Sequence, residues 1–250
     1  MSAASSNREG FLKSVRQTYF REFTEAIVAA VIVAAILRIF VVSVYRVPTE
    51  SMMPTLIPGD FVVAWKTSYG VPVPFTDIRI GERLPNRGDV VIFEGPEDAL
   101  YIKRVVGVPG DRIEIRNGRL SVNEVSSAIP KSAEGDWEIF EERAGESTHR
   151  VMKRVKENEA DFLAPQIVPP GHVFLLGDLR SDSFDSRQWG PISAQAIIAR
   201  AAFIGLSLRI AGRDDSKGVP EGFATRADLA PGELVPEGRI RGRRIFQNIE

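Results

Sequence analysis

A long apolar run near the N-terminus constrains this 250-residue chain more than any other feature. Residues 26–45 read AIVAAVIVAAILRIFVVSVY, with Arg38 as the single charged residue. A helix needs about 20 apolar residues to cross the hydrocarbon core of a bilayer. The Ile, Val, Leu and Phe side chains favour insertion more than Arg38 opposes it, and Arg38 lies close enough to one end to reach the headgroups. The run therefore predicts one transmembrane anchor.

Basic residues flank the run unevenly. Four precede it, namely Arg8, Lys13, Arg16 and Arg21, whereas Arg46 is the only one in the fifteen residues that follow. The positive-inside rule then predicts that residues 1–25 are cytoplasmic and that the rest of the chain lies on the outer side. The alternatives are a buried core helix and a cleavable secretory signal. The second is disfavoured because no small-x-small site follows the run cleanly.

Composition narrows the chemistry of the remainder. The chain has no cysteine and two histidines, His149 and His172, which excludes disulfide frameworks, thiol nucleophiles and most zinc sites. Any Ser-His-Asp triad would have to use one of these histidines. The formal net charge of −1 gives no bulk attraction to nucleic acid, so no nucleic-acid partner is predicted.

Short runs rich in Val, Ile and Phe follow the anchor and are separated by Pro and Gly. They are residues 60–65, 89–93, 101–108, 112–115 and 172–177. Short strands with frequent turns are typical of a mostly β fold.

The spacing of these runs predicts two β regions. Residues 46–111 and 171–210 form a main domain, and residues 112–170 form an inserted, smaller β subdomain. A tail over 211–250 follows and is predicted to return one strand at 244–246.

Ser51 lies in a block, VPTESMMPTLIPGD over residues 47–60, that has no apolar periodicity. Pro48 and Pro54 fix the backbone on either side of it, and Thr49 precedes it by two residues. A serine nucleophile needs a backbone held in one conformation. The alternative is an ordinary turn serine in a rigid loop.

Lys103 lies in a predicted strand, YIKRVVGV over residues 101–108. Alternation along the strand puts Lys103 between Tyr101 and Val105 on one face and directs Arg104 to the other. A lysine acts as a general base only when neutral, so its pKa of about 10.4 has to be lowered by desolvation. The alternative is a surface lysine on an edge strand.

Within residues 169–191, small and charged side chains are dense after the last apolar run, which ends at residue 177. The charged ones are predicted to pair with one another and to order a site-forming loop. They are Asp178, Arg180, Asp182, Asp185 and Arg187, with Ser183 and Ser186 among them. Trp189 is predicted to pack in the core. A solvated charged loop is the alternative.

Four motifs occur in order: SMMPTL with PGD at 51–60, RGDVVIF at 87–93, YIKRVVGVPGD at 101–111 and GD-x-R-x-x-S-x-DSR at 177–187. Together with the anchor they resemble the bacterial type I signal peptidases, also called leader peptidases. These are membrane-anchored serine peptidases with a Ser/Lys dyad. The resemblance implies a mostly β fold, with an antiparallel β catalytic domain and an inserted smaller β subdomain after one N-terminal transmembrane helix.

The resemblance also implies a role for each matched position. Ser51 matches the nucleophile, Lys103 the general base and Ser183 the residue that orients the lysine amine. The backbone N–H of Ser51 and the hydroxyl of Thr49 match the donors of an oxyanion hole. The structural members of the last motif are matched by Asp178, Arg180, Asp185, Ser186 and Arg187.

The implied substrates are secreted preproteins with small residues before the cleavage site. Such a peptide is expected to add as an extended strand beside residues 99–103. The residues expected to bind it are Val47, Pro48, Tyr101 and Ile102. The lipid bilayer is the second implied partner, and no cofactor or metal is implied. The implied location is a bacterial inner membrane, crossed once, with the catalytic domain on the periplasmic side.

The apolar segment 65–75, with Trp65, Tyr69 and Phe75, is a candidate for resting at the bilayer surface. An ordinary strand and turn is the alternative there.

Four positions depart from the family pattern, and at two of them Ser181 and Asp182 replace the commoner Asp-Asn pair. Glu50 replaces the glycine that is commonest before the nucleophile, and we expect it to face solvent because an inward carboxylate would oppose oxyanion formation. Leu179 stands where Asn is usual. His149 and His172 lie outside the matched catalytic positions. Two functional alternatives stay open, a dedicated processing peptidase with few substrates and a catalytically silent, membrane-anchored peptide-binding β module.

Overall fold

The computed structural model describes residues 3–73, 76, 78–126, 128–134, 137–145, 147–155, 162–208 and 240–249. The chain divides into two compact units, residues 1–42 and residues 43–250.

The first unit is dominated by helix α1, Ala3–Phe40. Its part from Phe20 to Phe40, 21 residues, is long and apolar enough to cross a membrane. The predicted span of residues 26–45 therefore extends past the end of the helix. The helix ends at Phe40, and the valine-rich segment that follows forms strand β1, Val42–Arg46. β-Branched side chains favour an extended backbone, which is in keeping with a strand in this valine-rich part of the apolar run.

Fifteen further strands follow, most of them short. They are β2 (Asp60–Trp65), β3 (Val71–Pro72), β4 (Arg79–Ile80), β5 (Val90–Glu94), β6 (Leu100–Gly107), β7 (Arg112–Arg116), β8 (Arg119–Val122), β9 (Val125–Ser126), β10 (Ala128–Glu134), β11 (Trp137–Ala144), β12 (Ser147–Arg154), β13 (Leu163–Ile167), β14 (His172–Leu176), β15 (Ile192–Ser193) and β16 (Ile197–Ser207). A short helix α2, Ser186–Trp189, lies between β14 and β15.

The main sheet has seven strands in the order β1-β2-β16-β5-β6-β14-β15. Strand β16 pairs with β2, and β5 pairs with β6; both pairings are antiparallel. Between β6 and β14 the chain forms two smaller sheets, β13-β7-β8-β9 and the hairpin sheet β10-β11-β12. The prediction of a mostly antiparallel β fold with an inserted smaller β part and one N-terminal apolar helix is confirmed.

Both faces of the main sheet are covered. Val90 and Ile92 of β5 belong to one buried apolar cluster, and Val91 and Phe93 belong to another. Successive residues of a strand point to opposite faces, so alternation along β5 supplies two cores. This explains why the strand reads as a continuous apolar run.

The segment proposed to rest at the bilayer surface contains a core residue. Tyr69 is buried and donates its hydroxyl to Asp89 Oδ2 at 2.9 Å. Burial raises the pKa of Tyr69 above its ordinary value, and Asp89 raises it further. Trp65 is exposed. Phe75 lies outside the described residues.

The described part of the tail returns to β16 without forming a continuous strand. Leu208 and Ile240 form one isolated antiparallel bridge, and Phe203 and Asn248 form another. A 3₁₀ turn, Gly242–Arg244, occupies the start of the predicted strand at 244–246, so that strand prediction is wrong.

Buried arginines explain why the tail docks there. Arg244 forms a two-pronged ion pair with Asp60, with Nη2 to Oδ2 at 2.7 Å and Nε to Oδ1 at 3.2 Å. The same guanidinium donates to Thr55 O at 3.0 Å. Arg241 donates to Pro58 O at 3.0 Å. The tail therefore holds the segment from Thr55 to Asp60 by charge and by backbone hydrogen bonds.

We predict that Arg244→Ala lowers the free energy of unfolding of the 43–250 unit by about 3–5 kcal/mol, because it leaves the buried Asp60 carboxylate without its counter-ion. Urea unfolding measures this change. Arg243→Ala is the matched control, since Arg243 is exposed, and it should change stability little. Equal effects of the two substitutions would contradict the prediction.

Candidate active site

Residues 47–60, which contain Ser51 and which we call the serine loop, run from the end of β1 to the start of β2 and close on themselves. Val47 donates its N–H to Asp60 O at 2.8 Å, and Gly59 donates to Val47 O at 3.0 Å, so the two ends of the loop are tied together. Met52 and Leu56 are buried and anchor the loop in one of the main cores. Ser51 is half-buried, and the packing of Met52 and Leu56 holds it in a fixed turn.

Lys103 meets Ser51 in the middle of this arrangement. Its Nζ donates to Ser51 Oγ at 2.6 Å. Lys103 lies in β6 opposite Val91 of β5, and 3% of it is exposed. Strand β6 therefore places the Lys103 amine next to the Ser51 hydroxyl in a buried environment.

Burial controls the charge of this amine. Desolvation lowers the pKa of Lys103 to about 8, although the nearby carboxylates of Asp185 and Asp178 act to raise it and Arg187 acts to lower it. Near neutral pH a usable fraction of the amine is therefore uncharged, and an uncharged amine can accept a proton from the Ser51 hydroxyl. Thr49 Oγ1 lies 3.3 Å from Ser51 Oγ on the same side of the loop.

Residues 177–187, which we call the support loop, follow β14 and pack behind this pair. Leu179 donates its N–H to Ser51 O at 3.0 Å. Gly177 donates its N–H to Asp185 Oδ2 at 3.0 Å. Ser186 Oγ accepts a hydrogen bond from Leu175 N at 3.0 Å. The support loop is thus tied to the serine loop on one side and to β14 on the other.

Gly177 sits where no side chain fits. A Cβ atom at this position would lie 2.2 Å from Ser183 Oγ and 2.5 Å from Ser51 O. The absence of a side chain at 177 is therefore a condition for the close approach of the support loop to the serine loop.

The predicted pairing among the loop charges is right for one pair and wrong for two residues. Asp185 and Arg187 form a two-pronged ion pair, with both contacts at 2.8 Å. Asp178 instead pairs with Arg104, at 2.9 Å for each of two contacts. Arg180 pairs with a residue of the inserted hairpin, described next. Buried charged side chains need oppositely charged partners. The partners of Asp178 and Arg180 lie far away in the sequence, so the charges within the loop did not predict them.

Glu142 of β11 is the partner of Arg180, with contacts of 2.8 and 2.5 Å. His149, opposite Glu142 in β12, is buried beside it. Its Nε2 lies 3.7 Å from Glu142 Oε1 and 3.8 Å from Asp178 Oδ1. Burial, together with Arg104, lowers the pKa of His149 to about 3, so the ring is neutral. The sequence motifs gave no signal for Glu142 or His149, because neither belongs to a matched block.

Ser183 is buried behind the pair, but it makes no direct contact of the predicted kind. Among the described residues, Ser183 Oγ forms no hydrogen bond of regular geometry, but its hydroxyl lies close enough to the Asp185 carboxylate to help lower the pKa of that group. The contact with the Lys103 amine that the resemblance implies is therefore not formed in this conformation.

A cleft of about 800 Å³ opens in front of Ser51 and Lys103. All four residues expected to bind substrate line it, namely Val47, Pro48, Tyr101 and Ile102. Further apolar lining comes from Val44, Tyr45, Leu100 and Phe184. Glu50, expected to face solvent, is half-buried and lines the same cleft.

An aromatic group packs under one end of the cleft. Trp189 lies 5.8 Å from Phe93 and 5.2 Å from Tyr101 between ring centroids, and Phe184 lies 5.2 Å from Trp189. Trp189 packs against the core as predicted.

Comparison with known proteins points to one family. The sequence model described as "Signal peptidase, peptidase S26" matches residues 20–206. A protein named signal peptidase I from Pseudomonas fluorescens is 36% identical over 180 residues, which cover 67% of this chain and 62% of that protein. The chain thus matches about three fifths of the length of that relative.

One further relative is matched over more of its length, and another comes from a plant. A signal peptidase I from Rickettsia felis is 32% identical over 217 residues, covering 75% of this chain and 80% of that protein. The chloroplastic thylakoidal processing peptidase 1 of Arabidopsis thaliana is 32% identical over 194 residues, covering 73% of this chain and 47% of that protein. A crystal structure of a signal peptidase I from Enterococcus faecalis covers 47% of this chain and 97% of its own, at 24% identity and a TM-score of 0.31. That overlap is too low to compare the two folds.

We predict that Gly177→Ala separates the support loop from the serine loop. The added methyl group overlaps Ser183 Oγ and Ser51 O, and overpacking of this kind costs about 1–3 kcal/mol. Water should then reach the amine, so the pKa of Lys103 should rise toward its ordinary value, as measured by competitive acetylation of the amine at increasing pH. Gly242→Ala is the control, because a Cβ at 242 meets no atom within 4 Å. An unchanged Lys103 pKa in Gly177→Ala would refute the prediction.

Proposed function

The chain belongs to the signal peptidase family, peptidase S26, and we propose that it is a membrane-anchored serine endopeptidase that removes N-terminal signal peptides from secreted preproteins. The observation that carries the proposal is the 2.6 Å hydrogen bond between Lys103 Nζ and Ser51 Oγ at the base of an open cleft. A buried lysine with a lowered pKa has the chemistry of a general base, and a serine within hydrogen-bond distance is its natural proton donor.

In the proposed mechanism the neutral amine of Lys103 takes the proton of Ser51 as the serine oxygen attacks the scissile carbonyl carbon. The tetrahedral intermediate collapses, the C–N bond breaks, and the protonated Lys103 gives its proton to the leaving amine. A water molecule then attacks the acyl-enzyme with Lys103 again as base, which releases the signal peptide and restores Ser51. The reaction needs no metal and no cofactor.

Charge develops on the carbonyl oxygen in both steps. We assign its stabilisation to the backbone N–H of Ser51 and the hydroxyl of Thr49. The short distance between Thr49 Oγ1 and Ser51 Oγ, 3.3 Å, supports this role because both groups lie at the same point of the cleft. Glu50 lines the cleft next to them, so its carboxylate has to point away from the oxyanion during the reaction.

The amine of Lys103 must keep one orientation through both steps. We assign this task to Ser183, whose buried hydroxyl lies at the point where the support loop approaches Ser51. For this role the hydroxyl of Ser183 has to reach the amine when substrate is bound. Asp178, Arg180, Asp185, Ser186 and Arg187 have supporting roles, because each of them holds the support loop through a buried contact.

The substrate is proposed to bind as an added strand. Within β6, pairing with β14 is assigned only from Arg104 to Gly107, so the corresponding edge of Leu100–Lys103 is open among the described residues. An extended peptide can pair with an open strand edge through its backbone. The side chains of Val47, Pro48, Tyr101 and Ile102 then limit the size of the pockets, which favours small residues before the cleavage site.

Membrane attachment is the remaining part of the proposal. The helix from Phe20 to Phe40 is long and apolar enough to span a bilayer, and basic residues are concentrated before it. We propose a single crossing of the bacterial inner membrane with a cytoplasmic N-terminus, so that the catalytic unit meets preproteins on the outer side. Dedicated processing of a few substrates is the alternative, and the name of the Arabidopsis relative is consistent with it. A catalytically silent module is disfavoured by the intact Ser51–Lys103 contact.

We predict that Ser51→Ala and Lys103→Ala each abolish cleavage of a purified preprotein in detergent micelles. The first removes the nucleophile and the second removes the base. Cleavage is followed by gel electrophoresis, and thermal unfolding checks that each variant is folded. Ser193→Ala and Lys66→Ala are the matched controls, since neither residue lines the cleft, and they should cleave at the normal rate. Substantial activity in either dyad variant would refute the proposed mechanism.

We also predict that the rate of preprotein cleavage increases with pH. The neutral amine is the active form and the pKa of Lys103 is about 8, so kcat/KM should rise with pH through about 8 and then level off. A metal chelator should leave the rate unchanged at every pH. The measurement is a pH–rate profile with a preprotein substrate, and a flat profile across neutral and alkaline pH would contradict the assignment of Lys103 as base.

A further inference from the structure

The hairpin formed by β11 and β12 belongs to the insert, yet it contacts the support loop directly. Met152 donates its N–H to Asp178 O at 2.9 Å, and Met152 and Leu179 form an isolated parallel bridge. Arg154 donates its N–H to Ser181 Oγ at 2.5 Å. The hairpin therefore holds the support loop along its backbone and is more than a peripheral addition.

The strongest contact between the two is the ion pair of Glu142 and Arg180. Both side chains are buried, with 0% and 1% exposed, and both carboxylate oxygens of Glu142 receive a guanidinium N–H. A third N–H of this guanidinium, on Arg180 Nε, donates to Gly177 O at 3.2 Å. One planar group thus joins the inserted hairpin to the glycine that has to fit against the serine loop.

From Gly177 the connection reaches the nucleophile. A Cβ at 177 would lie 2.5 Å from Ser51 O, which shows how closely the two backbones approach. Two residues later, Leu179 donates its N–H to Ser51 O at 3.0 Å. A displacement of the support loop would therefore move Ser51 or open a gap behind it.

We propose that Glu142 is a positioning residue of the peptidase: through Arg180 it fixes where the support loop meets Ser51, so the inserted hairpin is part of the catalytic apparatus. This inference rests on the proposed function for its consequence in catalysis. Glu142 acts at one remove, because its carboxylate contacts Arg180, and Arg180 contacts Gly177.

The chemistry of the pair favours positioning over stability. A buried ion pair contributes little net stability compared with well-packed apolar side chains, but its geometry is directional and narrow. His149 packs beside Glu142 without adding a charge, and both hydrogen bonds that the Glu142 carboxylate accepts from a cation come from Arg180. An apolar pair of similar volume could therefore replace the packing, but it could not hold Gly177 O.

The test compares Glu142→Gln, Arg180→Lys and the double variant Glu142→Leu/Arg180→Leu with the unaltered full-length protein in detergent. In Glu142→Gln and Arg180→Lys we expect kcat to fall about 10- to 100-fold with KM little changed, because misplacement of reacting groups by about 1 Å has effects of this size. In the double variant we expect the thermal unfolding midpoint to return close to that of the unaltered protein while kcat stays low.

A second readout does not depend on cleavage. The pKa of Lys103, followed by competitive acetylation of its amine, should rise in all three variants because a displaced support loop admits water. Glu138→Gln is the matched control, since Glu138 lies in the same strand and pairs with Arg119 and Lys153. It should change neither kcat nor the Lys103 pKa.

The outcomes separate this inference from the proposed function. Recovery of both stability and kcat in the double variant would show that the pair has a packing role only and would overturn the inference, as would an unchanged Lys103 pKa in Glu142→Gln. If the unaltered protein fails to cleave preproteins but the Lys103 pKa still responds to Glu142→Gln and not to Glu138→Gln, the proposed function fails and the positioning role stands.

Discussion

The whole site depends on a buried lysine that can give up its proton near neutral pH and that lies next to a serine. Burial without a counter-ion lowers the pKa of Lys103, but two carboxylates, those of Asp185 and Asp178, are close enough to oppose the shift. Each of these carboxylates forms a two-pronged ion pair with an arginine, Arg187 and Arg104 respectively. Arg187 also lowers the pKa of Lys103, so it opposes part of the effect of these carboxylates. Desolvation outweighs the nearby charges, so part of the Lys103 amine is uncharged near neutral pH.

This requirement explains why the site draws on distant parts of the chain. The serine loop closes on itself, but it is held from one side by the support loop through Leu179 and from the other by the tail through Arg244. The inserted hairpin in turn holds the support loop through Glu142. A loop held by only one of these elements could shift by the fraction of an ångström that a 2.6 Å contact does not tolerate.

Much of this could be predicted from the sequence, and the limits have physical causes. Ser51 and Lys103 each allow an ordinary structural interpretation when taken alone, and their pairing was predicted from the resemblance of four ordered motifs to one family. The ion pairs of Asp178 and Arg180 were not predicted, because their partners lie in distant segments of the chain that fold back onto the loop. The pattern of charges within one loop carries no information on which segments these are. The helix end at Phe40 was missed because valines are equally apolar in a membrane helix and in a strand, and hydrophobicity alone does not separate the two.

The ion pair between Asp60 and Arg244 joins residues that are 184 positions apart, which has a consequence for the timing of folding. During synthesis at roughly 5–20 residues per second, Asp60 leaves the ribosome about 10 to 40 seconds before its counter-ion. Until then the end of the serine loop carries a carboxylate that has to stay hydrated and so resists burial. The growing chain can form its strands early, but the serine loop reaches its final position late. A nascent chain therefore stays without a completed dyad while most of it is still being made.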